Sequence, residues 1–178
     1  KKDETKITLL YLSNIMVSKG IFELIDAFEQ LIKINDNIIL NIAGECLSDD
    51  YMNFKELKKK FDDKILQNNK IRYLGKIFGN DKTKLLQGSD IFILPSYKEA
   101  FPISIIEAMA SRNAIVVTNH KYISEVLSNK NGGLGEKRSV ERLVDGIQFL
   151  INNKHELKYI QNYNRQEAKK KFSKQKYL

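Results

Sequence analysis

The sequence predicts an α/β fold in which helices cover both faces of a doubly wound parallel sheet. Short apolar runs alternate with amphipathic helical stretches along the chain, and three of the runs are typical of buried strands while two are weaker. This alternation is typical of βαβ units, because parallel neighbours need a crossover that is usually a helix. The clearest unit spans residues 88–118, where two apolar runs flank one helical stretch.

The unit at 88–118 also predicts where a ligand would bind. The run IFIL at 91–94 is typical of a buried parallel strand, and a second buried strand is predicted at 114–118. A helix is predicted at 102–112, because Pro102 suits the first helical position, where a missing N–H costs nothing. The loop before this helix therefore follows a parallel strand, at the sheet edge where open α/β sheets bind ligands.

Two carboxylates, Glu99 and Glu107, belong to this ligand-facing edge. Glu99 lies in the loop before the helix, and Glu107 lies in its second turn, where side chains lean toward the N-terminus. The helix N-terminus suits phosphate, and Glu107 interrupts an apolar run, which is costly unless hydroxyls such as a sugar diol donate to it. Two structural alternatives stay open: Glu99 as a surface acid that bonds the helix N-terminus, and Glu107 as the partner of a buried lysine or of backbone amides.

The other elements follow from apolar periodicity and from turn residues. The predicted strands are 7–12, 37–44 and 71–75, with a glycine turn and a short strand at 129–135. The predicted helices are 21–34, 51–67, 81–87, 122–127, 142–151 and 157–172, the fifth with Ser139 as its N-cap. His120 follows a strand end, and a surface turn is favoured for it over a position in the crevice.

The turn between the first strand and the first helix contains Lys19 followed by Gly20. A lysine and a glycine at this place in the fold are a plausible phosphate cradle, although most such pairs are merely turns. The Walker A pattern is absent from the sequence, so this is not a P-loop.

Composition limits the function classes. The 178 residues favour one domain, and the net charge of +8 could serve nucleic acid, anionic lipid or an anionic small ligand. The sequence contains no RNA-binding signature and no zinc-finger spacing, so no nucleic-acid partner is expected. The single cysteine, Cys46, excludes an internal disulfide and fits a reducing compartment. No apolar run approaches the roughly 18 residues of a membrane span, and no signal peptide is visible, so a cytoplasmic location is expected.

The segment 99–110, EAFPISIIEAMA, carries two glutamates separated by seven residues. It resembles the signature of retaining glycosyltransferases of the GT-B fold, especially family 4 (glycosyl transferases group 1), which commonly reads E-x-F-(G or P)-x-x-x-x-E-A-M-A. The resemblance includes the flanking LPS and VVT, and it extends from Leu9 to about Phe172. It implies a single Rossmann-like, nucleotide-sugar-binding C-terminal domain, residues 1–178, with the N-terminal acceptor domain of such an enzyme absent from this chain.

The resemblance also implies a role for individual residues. Glu107 would hold the nucleotide ribose, and Ile77 in the LGKI loop would contact the base, while Phe78 would stack or belong to the core. LSNIMVSKG resembles the family's first turn, G-R-x-x-x-x-K-G, so Lys19 with Gly20 would neutralise the donor diphosphate. Asn14 stands where many members carry arginine. Contacts to the donor sugar and diphosphate would come from Glu99, Ala100, Phe101, Pro102 and Ile103, and the catalytic residues would be Lys19 and Glu99.

The implied reaction is transfer of a hexose from a UDP-sugar or GDP-sugar to an acceptor hydroxyl, with retention of configuration. No metal cofactor is expected, because Lys19 and a helix N-terminus would stabilise the leaving diphosphate. The implied acceptor is a sugar or a lipid-linked glycan in cell-surface polysaccharide or glycolipid synthesis, with peripheral contact at the inner membrane face. This chain alone is expected to be inactive. The alternatives are a non-catalytic nucleotide-binding module and a fragment of a GT-B sugar epimerase, although such epimerases lack the EAFPISIIEAMA pattern.

Overall fold

The computed structural model describes residues 6–97, 103–120, 123–124, 127–135 and 138–172. Its centre is a six-stranded sheet in the order β3-β2-β1-β4-β5-β6, and every neighbouring pair is parallel. The strands are β1 Ile7–Leu12, β2 Ile38–Ala43, β3 Ile71–Tyr73, β4 Ile91–Leu94, β5 Ala114–Thr118 and β6 Gly132–Gly135. The helices are α1 Ile21–Ile34, α2 Phe54–Leu66, α3 Gly79–Gly88, α4 Ile103–Ala110, α5 Val140–Asn152 and α6 Lys154–Phe172, with 3-10 turns at Val17–Lys19 and Asn129–Asn131.

The strand order reverses direction at the centre of the sheet. The chain runs outward from β1 through β2 to β3, and then returns to place β4 on the other side of β1. The boundary between β1 and β4 is therefore a topological switch point. The loops that follow these two strands lie at the usual ligand site of an open α/β sheet.

The core lies on both faces of the central strands. Leu9, Leu10 and Phe92 are fully buried, although successive strand residues point to opposite faces. Helices must therefore cover both faces. Helix α1 packs against α5, and helix α4 packs against α6. This arrangement agrees with the doubly wound sheet that the sequence predicts.

The predicted boundaries hold best where burial is complete. The bounds of β1, β4, β5 and α1 are as predicted. Helix α2 begins at Phe54, because the Asn53 side chain accepts a hydrogen bond from the backbone N–H of Glu56 and caps the helix there. The short strand predicted within 129–135 forms β6, at Gly132–Gly135. Helix α6 begins at Lys154, and the predicted helix at 122–127 lies partly outside the described residues.

Three buried asparagines join α6 to the sheet. The Asn164 amide donates to the carbonyl oxygens of Asn113 at 2.8 Å and Asn131 at 2.9 Å, and its oxygen accepts from Asn131 Nδ2 at 2.7 Å. Asn113 in turn donates to the carbonyl of Leu86 at 2.8 Å. Buried polar groups are tolerated when they are bonded in this way, and the set fixes α6 against the residues that precede β5 and β6.

No helix among the described residues is both long enough and apolar enough to cross a bilayer.

Candidate functional site

The loops after β1 and β4 touch at the switch point. Gly20 has a left-handed φ of 70°, and a Cβ there would lie 2.2 Å from the carbonyl oxygen of Pro95. The backbone N–H of Tyr97 donates to the carbonyl of Ser18 at 2.8 Å. Only glycine allows both the positive φ and this close approach. The turn that carries Lys19 is therefore held directly against the first residues after β4.

Lys19 is the last residue of the first 3-10 turn and is half-buried. The preceding N–H, that of Ser18, donates to Asp49 Oδ2 at 2.7 Å. Asp49 Oδ1 accepts from the N–H groups of Tyr51 at 3.0 Å and Met52 at 3.1 Å. Burial alone would raise the pKa of Asp49, but the hydrogen bonds outweigh it and hold this pKa below its ordinary value. A charged aspartate thus fixes the backbone that presents Lys19.

Asn14 lies exposed at the same edge, after β1. Its carbonyl accepts a hydrogen bond from the Tyr11 hydroxyl at 2.7 Å. The neighbouring Ser13 carbonyl lies so close to Gly44 that a Cβ there would be 1.9 Å from it. Asn14 therefore has a fixed backbone and a side chain that faces solvent.

A tyrosine, a glutamate and an arginine form a cluster beside these loops. The Tyr97 hydroxyl donates to Glu23 Oε1, and the Arg138 guanidinium lies 4.3 Å from the Tyr97 ring centroid. The Tyr51 ring meets the Tyr97 ring edge to face at 5.6 Å. Burial, and after it the bond to Glu23, raises the pKa of Tyr97 well above its ordinary value. The phenol therefore stays protonated and keeps donating to Glu23 into the alkaline range.

Glu107 is paired with a lysine from the neighbouring helix. Lys82 Nζ, on α3, lies 2.8 Å from Glu107 Oε1 and 2.6 Å from Oε2. The two side chains are 30% and 37% exposed. The sequence left open that Glu107 is the partner of a buried lysine. The structure shows a lysine partner, Lys82, but its side chain is only half-buried. Ile103, the first residue of α4, is exposed.

The loop before α3 presents one aromatic side chain to solvent. Ile77 is half-buried and packs against the core, whereas Phe78 is 66% exposed, so the core alternative for Phe78 is wrong. Lys76 Nζ lies 5.3 Å from the Phe78 ring centroid. Phe78 is also the N-cap residue of α3, the helix that carries Lys82.

A family model described as "Glycosyl transferases group 1" matches residues 1–167. The chain belongs to this family. It is 40% identical over 90 residues to the N,N'-diacetylbacillosaminyl-diphospho-undecaprenol alpha-1,3-N-acetylgalactosaminyltransferase of Campylobacter jejuni, a match that covers 50% of this chain and 23% of that protein. It is 25% identical over 170 residues to the capsular polysaccharide biosynthesis glycosyltransferase CapM of Staphylococcus aureus, covering 93% of this chain and 42% of that protein.

A solved structure of an S. aureus TarM variant, in complex with fondaparinux, alpha-GlcNAc-glycerol and UDP, matches 97% of this chain and 34% of that chain. The TM-score is 0.79 and the sequence identity is 25%. The predicted fold class is thereby confirmed: this group 1 glycosyl transferase chain has the Rossmann-like parallel sheet of GT-B enzymes. The chain spans less than half the length of these proteins.

The described part of this glycosyl transferase chain brings only some of the predicted residues together. Lys19 and Gly20 meet the start of the β4–α4 loop, and Glu107 lies on the helix that follows that loop. Asn14 lies after β1, Ile77 before α3 and Ile103 at the start of α4, whereas the other four members lie outside the described residues: Glu99, Ala100, Phe101 and Pro102. Their assignments stay predictions.

Sequence reasoning missed the partners that hold the site. Lys82, Asp49 and Tyr97 act over separations of 25, 31 and 74 residues, and no local pattern marks them. The surface turn favoured for His120 is wrong: the side chain is half-buried, and its Nε2 donates to the Ser96 carbonyl at 2.7 Å, at the same sheet edge. A histidine at a strand end is the signal in the sequence, and the topology supplies its partner.

Within the described ranges, no group of three or more histidine, cysteine, aspartate or glutamate side chains could hold a metal ion. Cys46 is buried, and burial raises the pKa of its thiol above the ordinary value. The thiolate is the reactive form of cysteine, so we assign Cys46 a packing role.

Proposed function

We propose that the chain is the donor-binding part of a retaining glycosyltransferase that takes a hexose from a UDP-sugar or GDP-sugar. One observation carries the proposal: the Lys19–Gly20 turn is pressed onto the residue after β4, at the switch point of the sheet. The turn that contains Lys19 and the first residues after β4 therefore lie together at one edge of the sheet. This is the place and the chemistry that a nucleoside diphosphate requires.

The chemistry of the leaving group accounts for the residues at this edge. When the glycosidic bond to the diphosphate breaks, negative charge develops on the phosphate oxygens, and fixed positive groups stabilise it. Lys19 and main-chain amides would supply that stabilisation without a metal ion. Glu107 would accept hydrogen bonds from the ribose hydroxyls, and Ile77 would contact the base. Glu99 would contact the donor sugar.

The relatives support an acceptor class. The C. jejuni relative is named for an undecaprenol-linked acceptor, and CapM is named for capsular polysaccharide biosynthesis. We therefore propose a sugar or a lipid-linked glycan as the acceptor and cell-surface polysaccharide or glycolipid synthesis as the process. Peripheral contact with the membrane stays a prediction.

Calorimetry with UDP and GDP, with and without EDTA, tests the donor site. We expect one of the two nucleotides to bind weakly and equally under both conditions, and binding that disappears in EDTA would contradict the metal-free site. Glu107→Gln should weaken binding by about 1.5–3 kcal/mol, as for a hydrogen bond to a charged group. Glu56→Gln, an exposed position on α2, is the control and should bind as the original chain does.

The same preparation tests the division of the enzyme. Given a panel of labelled nucleotide sugars and a lipid extract, the chain should bind a donor and yet transfer no sugar. The physical reason is that holding an acceptor against the anomeric carbon can supply about 7–11 kcal/mol, and the matched relatives are more than twice as long as this chain. Rapid transfer would show that the acceptor site lies within these residues.

A further inference from the structure

We propose that Lys82 is a positioning residue for the nucleotide ribose, because its ammonium holds the Glu107 carboxylate in the orientation that receives the ribose hydroxyls. The inference rests on the proposed function, in which Glu107 binds ribose. Lys82 lies outside the EAFPISIIEAMA segment and outside the turn that carries Lys19.

Lys82 and Glu107 form a close ion pair. Lys82 Nζ is within 2.8 Å of both carboxylate oxygens of Glu107. The Oε1 contact has hydrogen-bond geometry, whereas Oε2 is close to the ammonium but receives no hydrogen bond from the described residues, although solvent does not reach it. A carboxylate has about four acceptor positions, so the ion pair occupies only part of the acceptor capacity of Glu107, whose side chain is 37% exposed.

Lys82 lies on α3, close to the loop that contains Ile77 and Phe78. Its backbone N–H donates to the carbonyl of Phe78 at 3.3 Å, so Lys82 lies one helical turn after the loop of Ile77 and Phe78. That loop is the proposed contact of the base. A base and its ribose are covalently joined. The loop of Ile77 and Phe78, proposed to contact the base, is connected through α3 and Lys82 to Glu107, proposed to contact the ribose. Lys82 therefore links two contacts that a bound nucleoside needs at a fixed separation.

The Lys82 ammonium also limits the conformations open to the Glu107 side chain. Glu107 interrupts an otherwise apolar run on α4, residues 105–110. Without a cation, its long side chain would turn toward water, because an unpaired carboxylate in apolar surroundings is costly. The ammonium removes that freedom before the ligand arrives, which is how preorganised sites gain affinity.

The test compares nucleotides that differ only in the hydroxyl at issue. Dissociation constants for UDP and 2'-deoxy-UDP, and for GDP and 2'-deoxy-GDP, are measured by calorimetry for the original chain, K82M, K82R and E107Q. We expect the original chain to prefer the ribonucleotide, and E107Q to lose most of the preference. K82M should lower the preference by up to about fivefold, the factor that corresponds to a partly exposed ion pair.

A matched control and a rescue separate positioning from general structure. Lys84 lies on the same helix, is exposed and pairs with Asp81 at 3.4 Å, so K84M should keep the full ribose preference. K82R retains the charge and should restore most of the preference that K82M loses. Thermal unfolding of each variant checks that the fold is retained, and a lower melting temperature alone would not change the ribose preference.

The outcomes distinguish two failures. If E107Q lowers the ribose preference and K82M leaves it unchanged, the Lys82 inference is overturned while the proposed function stands. If K82M binds the ribonucleotide more tightly, Lys82 competes with the ribose and the inference is likewise overturned. If neither the original chain nor E107Q distinguishes the two sugars, Glu107 does not bind the ribose 2'-hydroxyl, and the Lys82 inference and the ribose assignment fail together. If the original chain binds neither UDP nor GDP, the proposed function itself fails.

Discussion

Replacing Asn164 by alanine should be among the most damaging single changes in α6. The Asn164 side chain is fully buried and makes three hydrogen bonds, two as donor and one as acceptor. Alanine keeps the helix propensity but removes all three bonds. The carbonyls of Asn113 and Asn131, and the Asn131 side-chain amide, would then lose this partner inside the protein.

The magnitude follows from those three groups. Each buried polar group that loses its partner costs about 1–3 kcal/mol, which gives roughly 2–9 kcal/mol if two or three are left unpaired. Water that enters the vacated space would satisfy part of the set, so we expect a loss of about 3–4 kcal/mol. A typical domain has only about 5–15 kcal/mol of stability, so the variant should unfold at a much lower urea concentration.

Urea unfolding followed by circular dichroism measures this loss, with the slope against urea checked for constancy. Asn162→Ala is the matched control, because Asn162 is exposed on the same helix and should change stability by less than about 0.5 kcal/mol. A loss for Asn164→Ala of under about 1 kcal/mol, close to that of the control, would refute the view that this network anchors α6.

Two further predictions concern loops at the edge of the sheet. Gly75→Ala should lower the unfolding free energy by about 1–2 kcal/mol, because Gly75 has a φ of 66° but no atom within 4 Å of the position that an added methyl group would occupy. Gly20→Ala should lower it clearly more, because its Cβ would lie 2.2 Å from the carbonyl oxygen of Pro95. Equal losses of unfolding free energy in urea would contradict the close approach of Gly20 to Pro95. Tyr97→Phe should flatten the alkaline decline of stability: burial, and then the Glu23 bond, raises the folded pKa of Tyr97 above the unfolded value of about 10, so its contribution is complete below that pH and is lost as pH rises further. Unfolding free energies at about pH 8 and about pH 11 measure the slope, and an identical slope in the variant would contradict this assignment.

Buried strands are the most predictable part of the fold. The runs that form β1, β4 and β5 are apolar on both faces, and a sheet covered on both sides produces that pattern. The edges are less predictable. Strand β3 has three residues, two of them exposed, so its sequence carries little apolar signal. The predicted start of α2 is three residues too early, because the capping bond of Asn53 outweighs the apolar pattern that precedes it.

The candidate site is predictable only where it is contiguous in sequence. A motif places Glu107 on a helix after a strand, and a Lys-Gly pair places Lys19 in a turn, because both depend on local backbone order. Lys82 reaches Glu107 only because α3 and α4 pack side by side. Side chains that support a site from a neighbouring element leave no periodic signal, so the topology has to be known first.

The two halves of the proposed nucleotide site are held in different ways, and this difference bears on Asn14. The phosphate half is fixed by backbone: Ser18 accepts from the N–H of Tyr97, and Gly20 lies against Pro95. The ribose half is fixed by a side-chain ion pair between Lys82 and Glu107. Backbone amides bind phosphate through dipoles that do not depend on side-chain identity, so an asparagine in place of the arginine common in the family removes one charge but leaves the geometry intact. In the ribose half no backbone group replaces a lost side chain, because the orientation of the Glu107 carboxylate depends on the Lys82 ammonium. Substitutions should therefore be tolerated better at Asn14 than at Lys82, even though Asn14 belongs to the more recognisable motif.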